Sequence, residues 1–190
     1  MGKSIRTFLA IQIPDRILMA IKEEQETWKA LGPGPRWVKP QLMHITLKFL
    51  GEISQSKVQE VIQVTQECVK GYKGFSLSLE NKGVFPNFRR PRVFWIGVAG
   101  QIIPLATLHK ELDNRLSVLG FPPEEREFRP HLTVARIKGP LRQGILTGFL
   151  SQELRLGSFE VSEVVVFKSV LSPKGPSYVP LAHCSFKDQN

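Results

Sequence analysis

One ordering of elements occurs twice in this chain, and it constrains the fold more than any other feature. The order is strand, helix, strand bearing His-x-Thr, helix, strand. In the first copy, "RTFLAIQIP" (6–14) alternates like a strand. Ile17, Leu18, Ile21 and Trp28 then recur at helical spacing over 15–31, with Asp15 as the expected N-cap. "LMHITLKFLG" reads as a strand, 54–72 as a helix capped by Ser54, and 75–85 as a third strand. The second copy runs through "RVFWIGVAG", a helix ended by Gly120, "FRPHLTVARI", a helix over 141–154 and one strand over 159–171. Arg6 and Arg92 lie 86 positions apart, His44 and His131 87, and Phe75 and Phe159 84. The spacing predicts a single two-lobed domain over 1–190, with pseudo-repeats at about 4–85 and 91–168 facing each other across a pseudo-two-fold axis. "FPNFRRPR" (85–92) is the expected crossing between lobes, and 177–186 adds a C-terminal strand.

On a strand, residues i and i+2 share a face. His44 and Thr46 therefore point one way and Ile45 and Leu47 the other; His131 and Thr133 do the same opposite Leu132 and Val134. A lone strand histidine is usually structural. Two in matching contexts, at matching places in a repeat, point to one shared site. Facing imidazoles suit acid–base chemistry at phosphorus, because histidine alone has both protonation states accessible near neutral pH. The threonine hydroxyls can donate to non-bridging phosphate oxygens, and Arg136 can add a charge-assisted contact. Arg136 and Phe49 stand at the same i+5 offset from their histidines, which is the wrong face of a regular strand. Either both strands carry a bulge there and both residues reach the cleft, or Phe49 is a core residue and Arg136 a solvated strand end. In the first case Phe49 can stack on a nucleobase. His109 and His183 lack such a context and read as surface or structural.

The net charge of +9 and pI of about 9.8 favour an anionic partner, nucleic acid first. Cys68 and Cys184 sit in no Cys-x-x-Cys or Cys/His cluster, which argues against a disulfide framework or a zinc site and for reduced thiols in the cytosol. Neither histidine has an acidic or thiol neighbour at ligand spacing, so no metal is expected. "GKS" at 2–4 lacks the upstream glycine of a phosphate-binding loop, and no apolar run approaches the ~20 residues of a membrane span.

At these motifs the sequence resembles the RNA 2′,3′-cyclic phosphodiesterases, long called 2′-5′ RNA ligases, of the two-histidine phosphoesterase superfamily. "RTFLAIQIP", "HITLKFLGE", "VFPNFRRPRVFWIGV", "RPHLTVARI" and "SVLSPKGPSYVPL" carry the resemblance across nearly the whole chain. It implies a bilobal α+β fold, with antiparallel sheets around a central cleft and helices outside. It implies cofactor-free opening of a terminal 2′,3′-cyclic phosphate on RNA to a 2′-phosphate, in some relatives with reversible 2′-5′ joining of tRNA halves. By that likeness His44 is the general acid toward the 3′ oxygen and His131 the general base. Thr46, Thr133 and Arg136 would hold the phosphate, and Phe49 would contact the terminal nucleotide. The charge of Arg136 beside the second motif is expected to favour a neutral His131. The expected protein is a cytoplasmic monomer acting on RNA ends, tRNA fragments among them. Two alternatives are a nucleotide- or RNA-binding module without catalysis and a phosphodiesterase for a small cyclic nucleotide. Lys48, Arg89, Arg90, Arg92, Arg129, Arg136 and Lys138 are candidates to guide an RNA backbone.

Overall fold

A computed structural model describes residues 4–173 and 175–186. β1 (Ile5–Gln12) leads into α1 (Asp15–Ala30). A two-residue strand β2 (Arg36–Trp37) precedes β3 (His44–Ile53), α2 (Gln55–Val69) and β4 (Phe75–Phe85). β5 (Val93–Gly100), α3 (Ile102–Ser117), β6 (His131–Arg136) and α4 (Gln143–Leu150) follow. β7 (Arg155–Val161), β8 (Glu163–Ser172) and β9 (Gly175–Ser185) complete the chain. The fold is α+β, as expected. Every strand pairing is antiparallel, in the order β7-β4-β5-β6-β3-β1-β8-β9, with β2 beside β6.

That order corrects the sequence reading in three places. The stretch 159–171 is not one strand: it breaks at Ser162, and β7 and β8 go to opposite ends of the sheet. Phe159 is consequently no counterpart of Phe75; it lies in the adjacent strand, across from Leu77. Nor do residues 85–92 cross between lobes, since they close a hairpin between the paired strands β4 and β5. The crossings are made elsewhere. β4 leaves the β1–β3 side to join β5, and β8 returns from β7 to pair with β1. The β7-β4-β5-β6 half thus contains β4 from the first half of the chain, and the β3-β1-β8-β9 half contains β8 and β9 from the second.

Local chemistry accounts for the helix ends. The Ser54 hydroxyl accepts from the Lys57 N–H at 3.2 Å, the expected cap. α1 begins instead after Pro14, with Asp15 in its first turn, where a carboxylate suits the helix dipole. Gly120 at φ +90° lets the Phe121 N–H turn back to the Leu116 carbonyl at 3.3 Å, ending α3. α1 and α4 cover the β4–β7 half, and α2 and α3 the other. Ile45, Leu47, Leu132 and Val134 face this helical side at 2% exposure or less and form the middle of the core.

One buried charge interrupts that core. Lys48 is 3% exposed and pairs with Asp113 of α3. Its Nζ also donates to the Pro122 carbonyl at 3.0 Å, and an Asp113 oxygen accepts from the Glu124 N–H at 3.1 Å. The pair ties β3, α3 and the loop that leads to His131 together, and it removes Lys48 from the residues able to meet RNA. Breaking a buried pair leaves an uncompensated charge and costs about 3–5 kcal/mol. Lys48→Met should therefore shift the urea midpoint strongly, and adding Asp113→Leu should recover part of the loss. Strictly additive losses in that double-mutant cycle would mean that the two charges are not coupled.

Candidate active site

β3 and β6 meet through a single backbone pairing, Ile45 with Leu132. Antiparallel register about that pair sets His44 against Thr133 and Thr46 against His131. All four side chains line one cleft of about 500 Å³.

Both strands carry the bulge that their i+5 residues require. In β3, Lys48 pairs with Leu9 and Thr46 with Ala10, leaving Leu47 as the extra residue. In β6, Ala135 pairs with Phe94 and Thr133 with Trp95, leaving Val134 extra. The bulge buries two consecutive residues and returns the next to the histidine face. Phe49 therefore emerges 63% exposed, which removes the core alternative for it, and both Phe49 and Arg136 line the cleft. The structure brings all six expected residues together.

The imidazoles are held in the same way. Each Nδ1 lies within hydrogen-bond distance of a backbone carbonyl two residues upstream: His44 on Leu42 at 2.9 Å, and His131 on Arg129 at 2.7 Å. A carbonyl can only accept, so each Nδ1 carries a hydrogen and each Nε2 is left to the cleft. A short 3₁₀ turn, Pro40–Leu42, aims the Leu42 carbonyl. Aromatic edges fix the rings: Tyr178 meets His44 at 5.1 Å and 88°, and Phe85 meets His131 at 5.0 Å and 81°. Phe85 in turn leans on Trp95, whose ring lies over Gly83, where any Cβ would sit 2.1 Å from it.

Surroundings break the symmetry. His44 has Phe8 at 4.8 Å and Phe167 at 6.4 Å besides Tyr178. Burial among these rings, aided by the charge of Arg136 and against the Leu42 bond, lowers its pKa to about 4. Arg136 thus acts across the cleft on the histidine of the other strand, which the sequence argument about a neutral His131 did not foresee. Arg36, Lys39 and Lys138 also line the cleft, and among the described residues no carboxylate does. The site is built for an anion.

Several lining residues were not singled out from sequence. Arg36 and Trp37 belong to β2, whose residues pair with Arg136 and Ala135, whereas "GPGPRW" reads only as a break. Gln25 holds this segment from α1, donating to the Val38 carbonyl at 2.9 Å. Tyr178 arrives on β9, opposite Ser169 of β8. Its only signal is its place in the "SPKGPSYVPL" stretch. His109 is buried against Phe128 at 3.9 Å, and His183 sits beside Glu163 at 3.0 Å; both are outside the cleft. Among the described residues, no three His, Cys, Asp or Glu side chains cluster as a metal site would need.

The curled antiparallel sheet is the fold of the LigT-like phosphoesterases. The crystal structure of a Thermus thermophilus protein superposes with a TM-score of 0.83 at 26% identity, over 98% of this chain and all of that one. E. coli LigT complexed with 3′-AMP gives 0.78 at 25% identity, over 97% and 99% of the two chains. The chain belongs to the 2′-5′ RNA ligase superfamily, whose family model matches residues 15–171. Among curated relatives, the RNA 2′,3′-cyclic phosphodiesterase of Methanothermobacter thermautotrophicus is 35% identical over 93% of this chain and 96% of its own. That of Methanocaldococcus jannaschii is 36% identical over 92% and 96%.

The depressed His44 pKa has a measurable sign. The unfolded chain, with an ordinary imidazole near 6.5, binds this proton more readily than the folded one. Stability from His44 is therefore complete above about pH 6.5 and is lost as pH falls through 6.5 toward 4. NMR titration of the free protein should place the His44 midpoint near 4, and His44→Gln should flatten the acid limb of the urea midpoint. A midpoint near 6.5 would contradict the burial argument.

Proposed function

We propose that the chain is an RNA 2′,3′-cyclic phosphodiesterase that needs neither metal nor nucleotide cofactor. The observation that carries this reading is the matched pair of Nδ1 bonds, which leaves two Nε2 atoms over one cationic cleft. The names of the curated relatives support the same activity. A nucleotide with a phosphate on its 3′ side, the ligand of LigT, is what such a cleft would take.

The reaction balances with two proton transfers. One neutral imidazole takes a proton from water as its oxygen bonds to phosphorus. The P–O3′ bond breaks, and the other imidazole, protonated, gives its proton to the 3′ oxygen. The products are a 2′-phosphate and a free 3′-hydroxyl. Thr46 and Thr133 donate to the non-bridging oxygens, and Arg136 offsets their charge as it grows in the transition state. Phe49, exposed at the rim, receives the terminal base or sugar. A 5′-hydroxyl in place of water would give a 2′-5′ linkage by the same steps. The working state is a cytoplasmic monomer, and the substrates are RNA ends, tRNA fragments included.

In the first assignment of roles, His44 is the acid and His131 the base. His44 is neutral above about pH 4 in the free site, so this assignment requires the bound phosphate to favour its charged form. The same depression favours a second reading, with His44 as base and His131 as acid. End-group analysis of cyclic-phosphate RNA incubated in EDTA tests the activity. Ring opening to the 2′-phosphate is expected, with losses of ~10²–10⁴-fold for His44→Ala and for His131→Ala. No opening, or opening only after a divalent metal is restored, would defeat the proposal. A substrate with sulfur at the 3′ bridging position separates the roles, because a thiolate leaves without a proton. Rescue of His44→Ala alone supports the first assignment, and rescue of His131→Ala alone supports the second.

A further inference from the structure

A second concavity opens beside the catalytic cleft and shares Lys138 with it. Its walls are the β4–β5 loop, with Phe88, Arg89, Arg90 and Arg92, and the exposed flank of α4, with Leu146 and Leu150. At about 1060 Å³ it has roughly twice the room of the cleft, at about 500 Å³. None of its lining residues is acidic. Among the described residues, no carboxylate lies within ion-pair distance of Arg89, Arg90, Arg92 or Lys138.

The loop is shaped to present these charges. The Asn87 side-chain oxygen accepts from the N–H groups of Arg89 and Arg90, both at 3.1 Å, which fixes the turn. The Ile137 N–H donates to the Arg92 carbonyl at 2.9 Å and a guanidinium N–H of Arg92 to the Lys138 carbonyl at 3.4 Å, tying the loop to the strand that carries His131, Thr133 and Arg136. Phe88 lines the groove and stands 65% exposed. Unpaired cations, an apolar floor and an exposed aromatic are the requirements for single-stranded nucleic acid: charge for the backbone, and a surface on which bases stack. Continuity with the cleft sets the direction.

We propose that this groove holds the two nucleotides immediately 5′ of the nucleotide that bears the terminal cyclic phosphate, making the protein selective for oligonucleotide ends over cyclic mononucleotides. The inference rests on the cyclic phosphodiesterase reading. The count follows from the loop, which presents two neighbouring arginines, one for each bridging phosphate. Arg89 and Arg90 meet the two bridging phosphates, and Phe88 stacks on a base.

The test is a length series of 2′,3′-cyclic phosphates, from mononucleotide through di- and trinucleotide to longer chains. kcat/KM should climb to the trinucleotide and then level. Arg89→Gln/Arg90→Gln, both on an exposed loop, should lower the trinucleotide-to-mononucleotide ratio by about tenfold or more, since both backbone contacts of the longer substrate are lost and none of the mononucleotide's. It should also reduce the salt slope of trinucleotide binding by about 1.4, at ~0.7 per phosphate. Equal kcat/KM across the series in the wild-type protein would overturn the groove assignment while leaving the catalytic reading intact. So would an unchanged ratio in the variant. If no member of the series is hydrolysed, the catalytic reading fails, and binding of a 2′-phosphate-terminated trinucleotide still decides the groove. An unaltered salt slope in the variant would then overturn it.

Discussion

Everything in the site depends on one backbone pairing, Ile45 with Leu132, where the two halves of the sheet touch. Antiparallel geometry at that point sends Ile45 and Leu132 into the core and their neighbours, His44, Thr46, His131 and Thr133, to the opposite face. A shift of one residue in either strand would bury an imidazole and expose a core side chain. Register is therefore enforced by burial: all of Ile45, Leu47, Leu132 and Val134 are 2% exposed or less. The exchange of β4 and β8 between the halves adds a second restraint, because the connections that carry them link the two halves twice.

The two motifs are equivalent in sequence and unequal in surroundings. β8 and β9 bring Phe167 and Tyr178 against His44, and Phe8 closes the same side, whereas among the described residues Phe85 alone is in ring contact with His131. Burial then lowers the pKa of His44, and Arg136 adds to it from the facing strand. A near-symmetric scaffold gains direction from what is packed beside it. The cationic lining works with this difference: an anion in the cleft has Arg36, Lys39, Arg136 and Lys138 around it as well as the two rings.

Period-two patterning made the histidine–threonine face legible, because side-chain direction on a strand is set by the backbone alone. It also posed the parity problem of Phe49 and Arg136, and one extra residue in each strand resolves it. Sequence could not reveal that the bulge exists, since Leu47 and Val134 are ordinary apolar residues. Lys48 was illegible for a related reason. The bulge turns it into the core, and its partner Asp113 lies 65 positions away on α3. The crossing of β4 and the break at Ser162 were missed because strand pairing is non-local: "FEVSEVVVFKSVL" has strand character throughout, and nothing within it says where one partner ends and the next begins. Arg36 and Tyr178 reach the cleft only through such pairings.

Both histidines present Nε2 to one cleft because their Nδ1 hydrogens are committed to the Leu42 and Arg129 carbonyls. Long-range ¹H–¹⁵N correlation of the histidine side chains, at a pH where both imidazoles are neutral, reads this directly. The Nδ1–H tautomer is expected for both His44 and His131, with the two Nε2 signals moving together on addition of a 2′-nucleotide. An Nε2–H tautomer at either residue, or a ligand response at only one, would contradict it.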